Sequence, residues 1–386
     1  MSRYNLDECT KNNAACPQGS NCIDTPGGYG CTYCSPDVNI LGGGTSIARS
    51  RGITLTSRLN VSANCVDKRV EYIWEFFPPS GTRWQVLADV VSTKADLLVA
   101  PRTLQYGLYL FRLSVLVTET TTGAVVSGIS HNTSVSITPS PLIAGILGGA
   151  RRQVGVGKFT IDAATLSSDP DGIISRSADL DYRWSCDPIN GDCPALHGGT
   201  DGLLTVNTNR GSLNSELTFT VEVSAPNRGS ASASQVIEVV PSTIPQSSII
   251  CDTTYGTCGP KINSGERLRL SALCSNCRAD PNNYRYNWTL VQTQGVATTW
   301  TDEDWKANIL NDRSQDYVTF RAEIFDPQVQ YTVTSTVTDS NTGESGSAEY
   351  SFTVNQPPTV GTCEIHELGN AAGFFQIQCQ GNENIL

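Results

Sequence analysis

Cys251, Cys258, Cys274 and Cys277 are the side chains of this sequence best placed to do chemistry together. As thiolates, the two pairs could converge tetrahedrally on Zn²⁺. In an oxidising compartment they would instead close two short disulfides, Cys251 to Cys258 and Cys274 to Cys277. The loose first spacing and the compartment favour the disulfides, and no thioredoxin-like strand and helix surround Cys274 and Cys277 to make them a redox pair. Asp169-Pro-Asp-Gly172 could offer two carboxylates to a cation, although an exposed tight turn is the plainer reading. Gly155-Val-Gly-Lys158 is not a phosphate loop, because Arg152 stands where its first glycine would fall and Phe159 replaces the Ser/Thr. The three histidines, His131, His197 and His366, have no nucleophile and carboxylate paired with them in sequence, and they read as surface residues.

The elements that would have to position any site are set by composition. Only 16% of the 386 residues are charged, and there are 34 Gly, 19 Pro, 14 Cys and one Met, a turn-rich and helix-poor mixture. Scarce histidine leaves little material for acid/base or metal catalysis, so the expectation is a protein that is not an enzyme. A net charge of −11 repels a phosphate backbone and favours cations, which argues against nucleic acid. An even number of clustered cysteines points to stapled modules outside the cell. The start of the chain has no apolar run, so the expectation is a mature product or a fragment rather than a precursor with a signal peptide. Leu142–Leu147, the longest apolar stretch, is far short of the roughly 20 residues that span a bilayer, so direct membrane insertion is not expected in this segment.

Residues 217, 219, 221 and 223 are all apolar with polar residues between, the period of a half-buried strand. Residues 110–117 and 349–354 behave similarly. Tyr-x-Trp occurs three times, at Tyr72-Ile-Trp74, Tyr182-Arg-Trp184 and Tyr286-Asn-Trp288, with the tryptophans 110 and 104 residues apart. That interval is one sandwich domain, and a Trp in the third strand is how immunoglobulin-like sandwiches fill the space between their sheets. The predicted fold class is all-β: a small disulfide-rich module (1–35), then immunoglobulin-like or PKD-like β-sandwiches over 36–139, 140–241 and 242–356, and an incomplete further module over 357–386. Residues 5–34 hold five cysteines and almost no aliphatic residues, so disulfides must hold the head together. The short separations predict two further bridges, Cys186 to Cys193 and Cys363 to Cys379, each stiffening a loop more than it stabilises the fold. Asn60-Val-Ser, Asn132-Thr-Ser and Asn287-Trp-Thr are N-glycosylation triplets.

Asn5-Leu-Asp-Glu-Cys9, Cys16, Cys22-Ile-Asp24, Tyr29-Gly-Cys31 and Cys34 resemble a calcium-binding EGF-like domain. The resemblance implies a Ca²⁺ cofactor held by the side chains of Asn5, Glu8 and Asp24 and the carbonyls of Leu6, Thr25 and Gly28. Hard oxygens at about 2.3 to 2.6 Å are what that ion takes. It also implies Cys9 paired with Cys22 and Cys16 with Cys31. The sequence departs from the family after Cys31, where two residues rather than one precede Cys34, and no cysteine follows before Cys65. Cys34 is left for Cys65 if the modules are pinned together.

Ser167-Ser-Asp-Pro-Asp-Gly172, Leu180-Asp-Tyr-Arg-Trp-Ser-Cys186, Cys193, Cys251, Cys258, Arg267-Leu-Arg-Leu-Ser-Ala-Leu-Cys274-Ser-Asn-Cys277, Tyr284-Arg-Tyr-Asn-Trp-Thr-Leu290, Pro357-Pro-Thr-Val-Gly-Thr-Cys363 and Cys379-Gln-Gly follow one another in an order that resembles the REJ (receptor for egg jelly) region of polycystin-like proteins. The likeness covers about residues 140–386. It implies a non-enzymatic extracellular rod of sandwiches, structural and adhesive, at a cell, ciliary, flagellar or gamete surface. Its partners would be extracellular proteins or glycans, copies of itself, or a membrane-anchored polycystin-like protein. Two other readings stand beside this: a filament or ciliary-appendage subunit, mastigoneme-like, joining head to tail, and a receptor ectodomain. A secreted hydrolase with accessory sandwiches would need a catalytic domain that this sequence lacks.

Overall fold

In the computed structural model, the described residues are Cys9, Cys16 and residues 20–25, 28–34, 36–61, 68–87, 92–120, 125–277, 283–293, 298–356, 362–367 and 375–380. Their regular structure is almost all strand, joined by turns and irregular loops. The chain divides into two units, one of residues 1–140 together with 363–379 and the other of residues 141–362 together with 380–386.

The first unit begins with a hairpin, β1 (Ser20–Thr25) against β2 (Gly28–Tyr33). A sandwich follows, made of β3 (Pro36–Leu41), β4 (Thr45–Ala48), β5 (Ile53–Val61), β6 (Lys68–Phe77), β7 (Asp96–Val99), β8 (Gly107–Glu119) and β9 (Val125–Thr138). Its sheets run β3-β5-β7 and β4-β9-β8-β6. Alternation along β8 sends Tyr109, Phe111, Leu113, Val115 and Val117 into the core, where Trp74 and Leu55 meet them.

The second unit carries two sandwiches, each with its own buried cluster. The first of them uses β10 (Arg151–Gly155), β11 (Lys158–Asp162), β12 (Asp181–Asn190), β13 (His197–Gly198), β14 (Leu203–Asn207), β15 (Glu216–Ser224) and β16 (Ala231–Val240). The other uses β17 (Ser247–Cys251), β18 (Lys261–Asn263), β19 (Leu268–Cys274), β20 (Tyr284–Gln292), β21 (Thr298–Thr299), one helix α1 (Asp302–Asn308), β22 (Tyr317–Phe320), β23 (Gln330–Asp339) and β24 (Ser345–Asn355). A final pair, β25 (Thr362–Glu367) and β26 (Phe375–Gln380), forms a two-stranded sheet.

The three repeated tryptophans have a common role. Trp74 and Trp288 are fully buried and Trp184 partly so, and each indole N–H donates to a backbone carbonyl further along the chain: Lys94 at 3.0 Å, Gly199 at 3.1 Å and Gln315 at 2.9 Å. The ring fills the space between sheets while its one polar atom is satisfied.

One sheet serves both sandwiches of the second unit. Its order is β12-β15-β16-β10-β24-β23-β20-β21, with β18 also paired to β24, nine strands in all. The joint is β10, which runs parallel to β16 from Arg151↔Val236 to Gly155↔Val240. On its other side it runs antiparallel to β24 at Arg151↔Glu349 and Arg152↔Ala348. Ala150 N donates to Glu349 O at 2.7 Å, and Ser347 N donates to the Gln153 side chain at 2.8 Å. Close approach here needs glycine: Gly149 has φ +93°, and a Cβ on it would run into the Glu349 carbonyl.

The polar anchor of the joint is Gln235, wholly buried in β16. Its amide donates to Leu147 O at 3.2 Å and Gly149 O at 2.7 Å, and its oxygen accepts from Arg152 Nε at 3.1 Å. Burial pulls the Arg152 pKa down to about 10, so it remains a cation at neutral pH and depends on Gln235 and the Thr160 carbonyl for partners. Gln235→Leu should therefore strand two buried carbonyls and part of a guanidinium, at a cost of about 3 kcal/mol in chemical denaturation of the second unit. A loss under about 1 kcal/mol would show that the anchor is dispensable.

Candidate functional site

The head is a hairpin closed by two disulfides, Cys9–Cys22 and Cys16–Cys31, with Cα atoms 5.6 and 5.5 Å apart. Cys34 is buried and disulfide-bonded, while Cys65 lies outside the described residues. Of the residues expected to hold Ca²⁺, Asn5, Leu6 and Glu8 lie outside the described residues, as does the side chain of Asp24. The backbone places the others together: Thr25 pairs with Gly28 at the turn end of the hairpin, Asp24 stands one step behind, and the Thr25 hydroxyl donates to the Gly28 carbonyl at 2.8 Å. Carboxylate, hydroxyl and carbonyl oxygens are the donor chemistry this ion takes. Among the described residues no group of three or more His, Cys, Asp or Glu is gathered as a metal site.

The Asp-Pro-Asp-Gly stretch is the expected turn, closed by the Gly172 N–H donating to the Asp169 carbonyl at 3.0 Å, but its carboxylates are buried rather than exposed. Asp169 and Asp171 have fully buried side chains, and the cation between them is an arginine. Arg228, in the loop between β15 and β16, sets Nη2 2.9 Å from Asp169 Oδ1 and 3.3 Å from Asp171 Oδ2, with its own side chain only 5% exposed. Asp169 also accepts from the backbone N–H groups of Asp171, Ile173 and Ile174 at 3.0 to 3.1 Å. Burial alone would raise the Asp169 pKa. The Arg228 guanidinium and these N–H groups outweigh burial and hold the carboxyl below its usual range. Nothing in the sequence around Arg228, a Pro-Asn-Arg-Gly-Ser loop, marks it as buried.

The remaining cysteines of the second unit are oxidised: Cys186–Cys193, Cys251–Cys258 and Cys274–Cys277. With Cys251, Cys258, Cys274 and Cys277 so bonded, no thiolate is left there for zinc. Cys363 lies in β25 and Cys379 in β26, with side chains outside the described residues. The loop at Gly155-Val-Gly-Lys158 is a strand reversal whose Gly157 N–H is taken by the Thr208 hydroxyl at 3.2 Å. His131 and His197 are exposed, and the His366 side chain lies outside the described residues. All three sequon asparagines are exposed on strands, Asn60 on β5, Asn132 on β9 and Asn287 on β20.

Removing the guanidinium while keeping its stem, as in Arg228→Met, leaves two buried carboxylates without their counter-charge. The expected loss is about 3–5 kcal/mol, read by urea denaturation at neutral pH. Because the folded pKa of Asp169 is depressed, its contribution is present above the ordinary carboxylate value of about 4 and is lost as pH falls through the folded value. Asp169→Asn should flatten this acid limb of the stability curve, and an unchanged limb would mean that other carboxylates produce it.

Among the described residues, the arrangement offers disulfide-stiffened loops and a buried Arg228–Asp169–Asp171 charge cluster. Human polycystin-1 is 25% identical over 324 residues, which cover 79% of this chain and 7% of that protein. Among solved structures, extracellular domains 3–5 of Drosophila OTK align at 11% identity with a TM-score of 0.25, covering 83% of this chain and 98% of that one. The four N-terminal immunoglobulin domains of Dscam1 isoform 6.9 align at 10% identity and TM-score 0.26, covering 89% and 85%. The human desmocollin-1 ectodomain aligns at 11% identity and TM-score 0.21, covering 91% and 68%. The family model for the REJ domain matches residues 58–384, most of the chain, and the protein belongs to the REJ domain family.

Proposed function

We propose that this chain is a non-catalytic extracellular ectodomain whose work is structural and adhesive. The observation that carries this reading is the nine-stranded sheet shared by two sandwiches, which joins them through backbone pairing of β10 with β16 and β24. Family membership and oxidised cysteines support a position outside the cell. In this reading the setting is a ciliary, flagellar or other cell surface, with extracellular proteins, glycans, copies of itself or a membrane-anchored polycystin-like protein as partners; membership of the REJ domain family supports it. In this reading the EGF-like head binds Ca²⁺ through Asn5, Leu6, Glu8, Asp24, Thr25 and Gly28 and stiffens the start of the chain. Cys34 pairs with Cys65 and Cys363 with Cys379, and Asn60, Asn132 and Asn287 carry glycans.

Beads coated with the chain should retain extracellular glycoproteins, or one another, when calcium is present. Beads that retain neither would sink the adhesive reading, and regular filaments in electron micrographs of the purified protein would replace it with a self-assembling, mastigoneme-like subunit. For the metal, calorimetric titration of the full chain with Ca²⁺ should show a binding event that Glu8→Ala weakens at least about tenfold. Equal affinity in the two proteins removes the assigned site.

A further inference from the structure

One end of the outer face of the first sandwich, on β6, β8 and β9, exposes two leucines among polar residues. Leu108 and Leu110 are 56% and 41% exposed. Leu110 stands opposite Phe77 on one side and Ser134 on the other, and Leu108 stands opposite Ser136. One step along β8, Arg112 lies between Glu75 and Asn132. The Arg112–Glu75 ion pair closes at 2.7 Å. The chain after β6 folds back through a Phe76–Gln85 bridge and lays Trp84 on this row. The Arg112 guanidinium sits 4.3 Å from the Trp84 ring centre, and the Phe77 ring meets Trp84 edge-on at 5.7 Å.

This face therefore combines an aromatic plane, aliphatic side chains and hydroxyls with a charge pair that cancels itself. It complements a ligand that is uncharged and has both an apolar face and hydroxyls, which describes a pyranose sugar. The chain can supply such a ligand from within. Asn132 opens the triplet Asn132-Thr-Ser134, is exposed, and projects from the same face as its cross-strand partner Arg112, about 5 Å away between Cβ atoms.

We propose that an N-linked glycan on Asn132 lies down on this face, its first sugars covering Arg112, Trp84 and Leu110 instead of extending into solvent. The proposal rests on Asn132 being a glycan acceptor and adds a seat for that glycan. The sugar C–H faces take the place of water on the indole and leucine surfaces, and the sugar hydroxyls meet Ser134 and the Glu75–Arg112 pair.

The test uses the full chain secreted from a glycosylating host. The mass of the peptide containing Asn132 reports occupancy, and an unmodified peptide overturns both the acceptor assignment and the seat. With occupancy established, Asn132→Gln should lower the melting temperature of the first sandwich by about 4 °C, and by less than about 1 °C when Trp84→Leu is already present. Leu110→Ser provides a second background at an exposed position, where the glycan effect should shrink by about half. Equal losses in all backgrounds overturn the seat while leaving the acceptor assignment standing, and return the face to a protein partner.

Discussion

The strand β10 carries hydrogen bonds on both edges, and the second unit depends on that fact. An unpaired strand edge invites association with other chains. Here the edges of two sandwiches are joined through five parallel residue pairs with β16 and two antiparallel pairs with β24. The cost is local crowding, met by glycine at 149 and again at Gly346, where a side chain would strike the Pro245 carbonyl. Two cores that could have been separate domains thereby share a backbone element, and Gln235 and Arg152 tie that element to its neighbours from below.

A second constraint concerns charge. With few charged residues available, the chain places arginines where a cation is needed inside. Arg228 holds two buried carboxylates, and Arg151 lies between Glu216 and Glu238 on the surface of the same sheet. A fixed guanidinium does what a bound metal does in many extracellular modules, without dependence on the ion's concentration. The calcium proposed for this protein concerns the head, whereas the Arg228 cluster lies in the second unit.

Much of the architecture was legible because it rests on short-range pattern. Alternation at 217–223 gives a strand whose four apolar side chains are all fully buried, and the Tyr-x-Trp interval locates the three cores. The joint was not legible, because the contact of residues 151–152 with 348–349 is a long-range pairing of two residues, too short to leave a periodic trace. Gln235 follows Ser-Ala-Ser and reads as a solvent-facing polar residue, yet it is wholly buried because three partners converge on it. The Asp-Pro-Asp carboxylates were visible as a pair, but their counter-charge lies in a loop nearly 60 residues away.

Through β10, residues 141–362 should fold as one cooperative unit. Native-state hydrogen exchange of wild type and Gly149→Val tests it most directly, since a valine there must push β10 off β24. Protection of Leu217–Val223 in β15 and of Tyr331–Val337 in β23 should fall together, by a similar factor. Loss of protection in one strand with the other unchanged would contradict it and leave two independent sandwiches that merely touch.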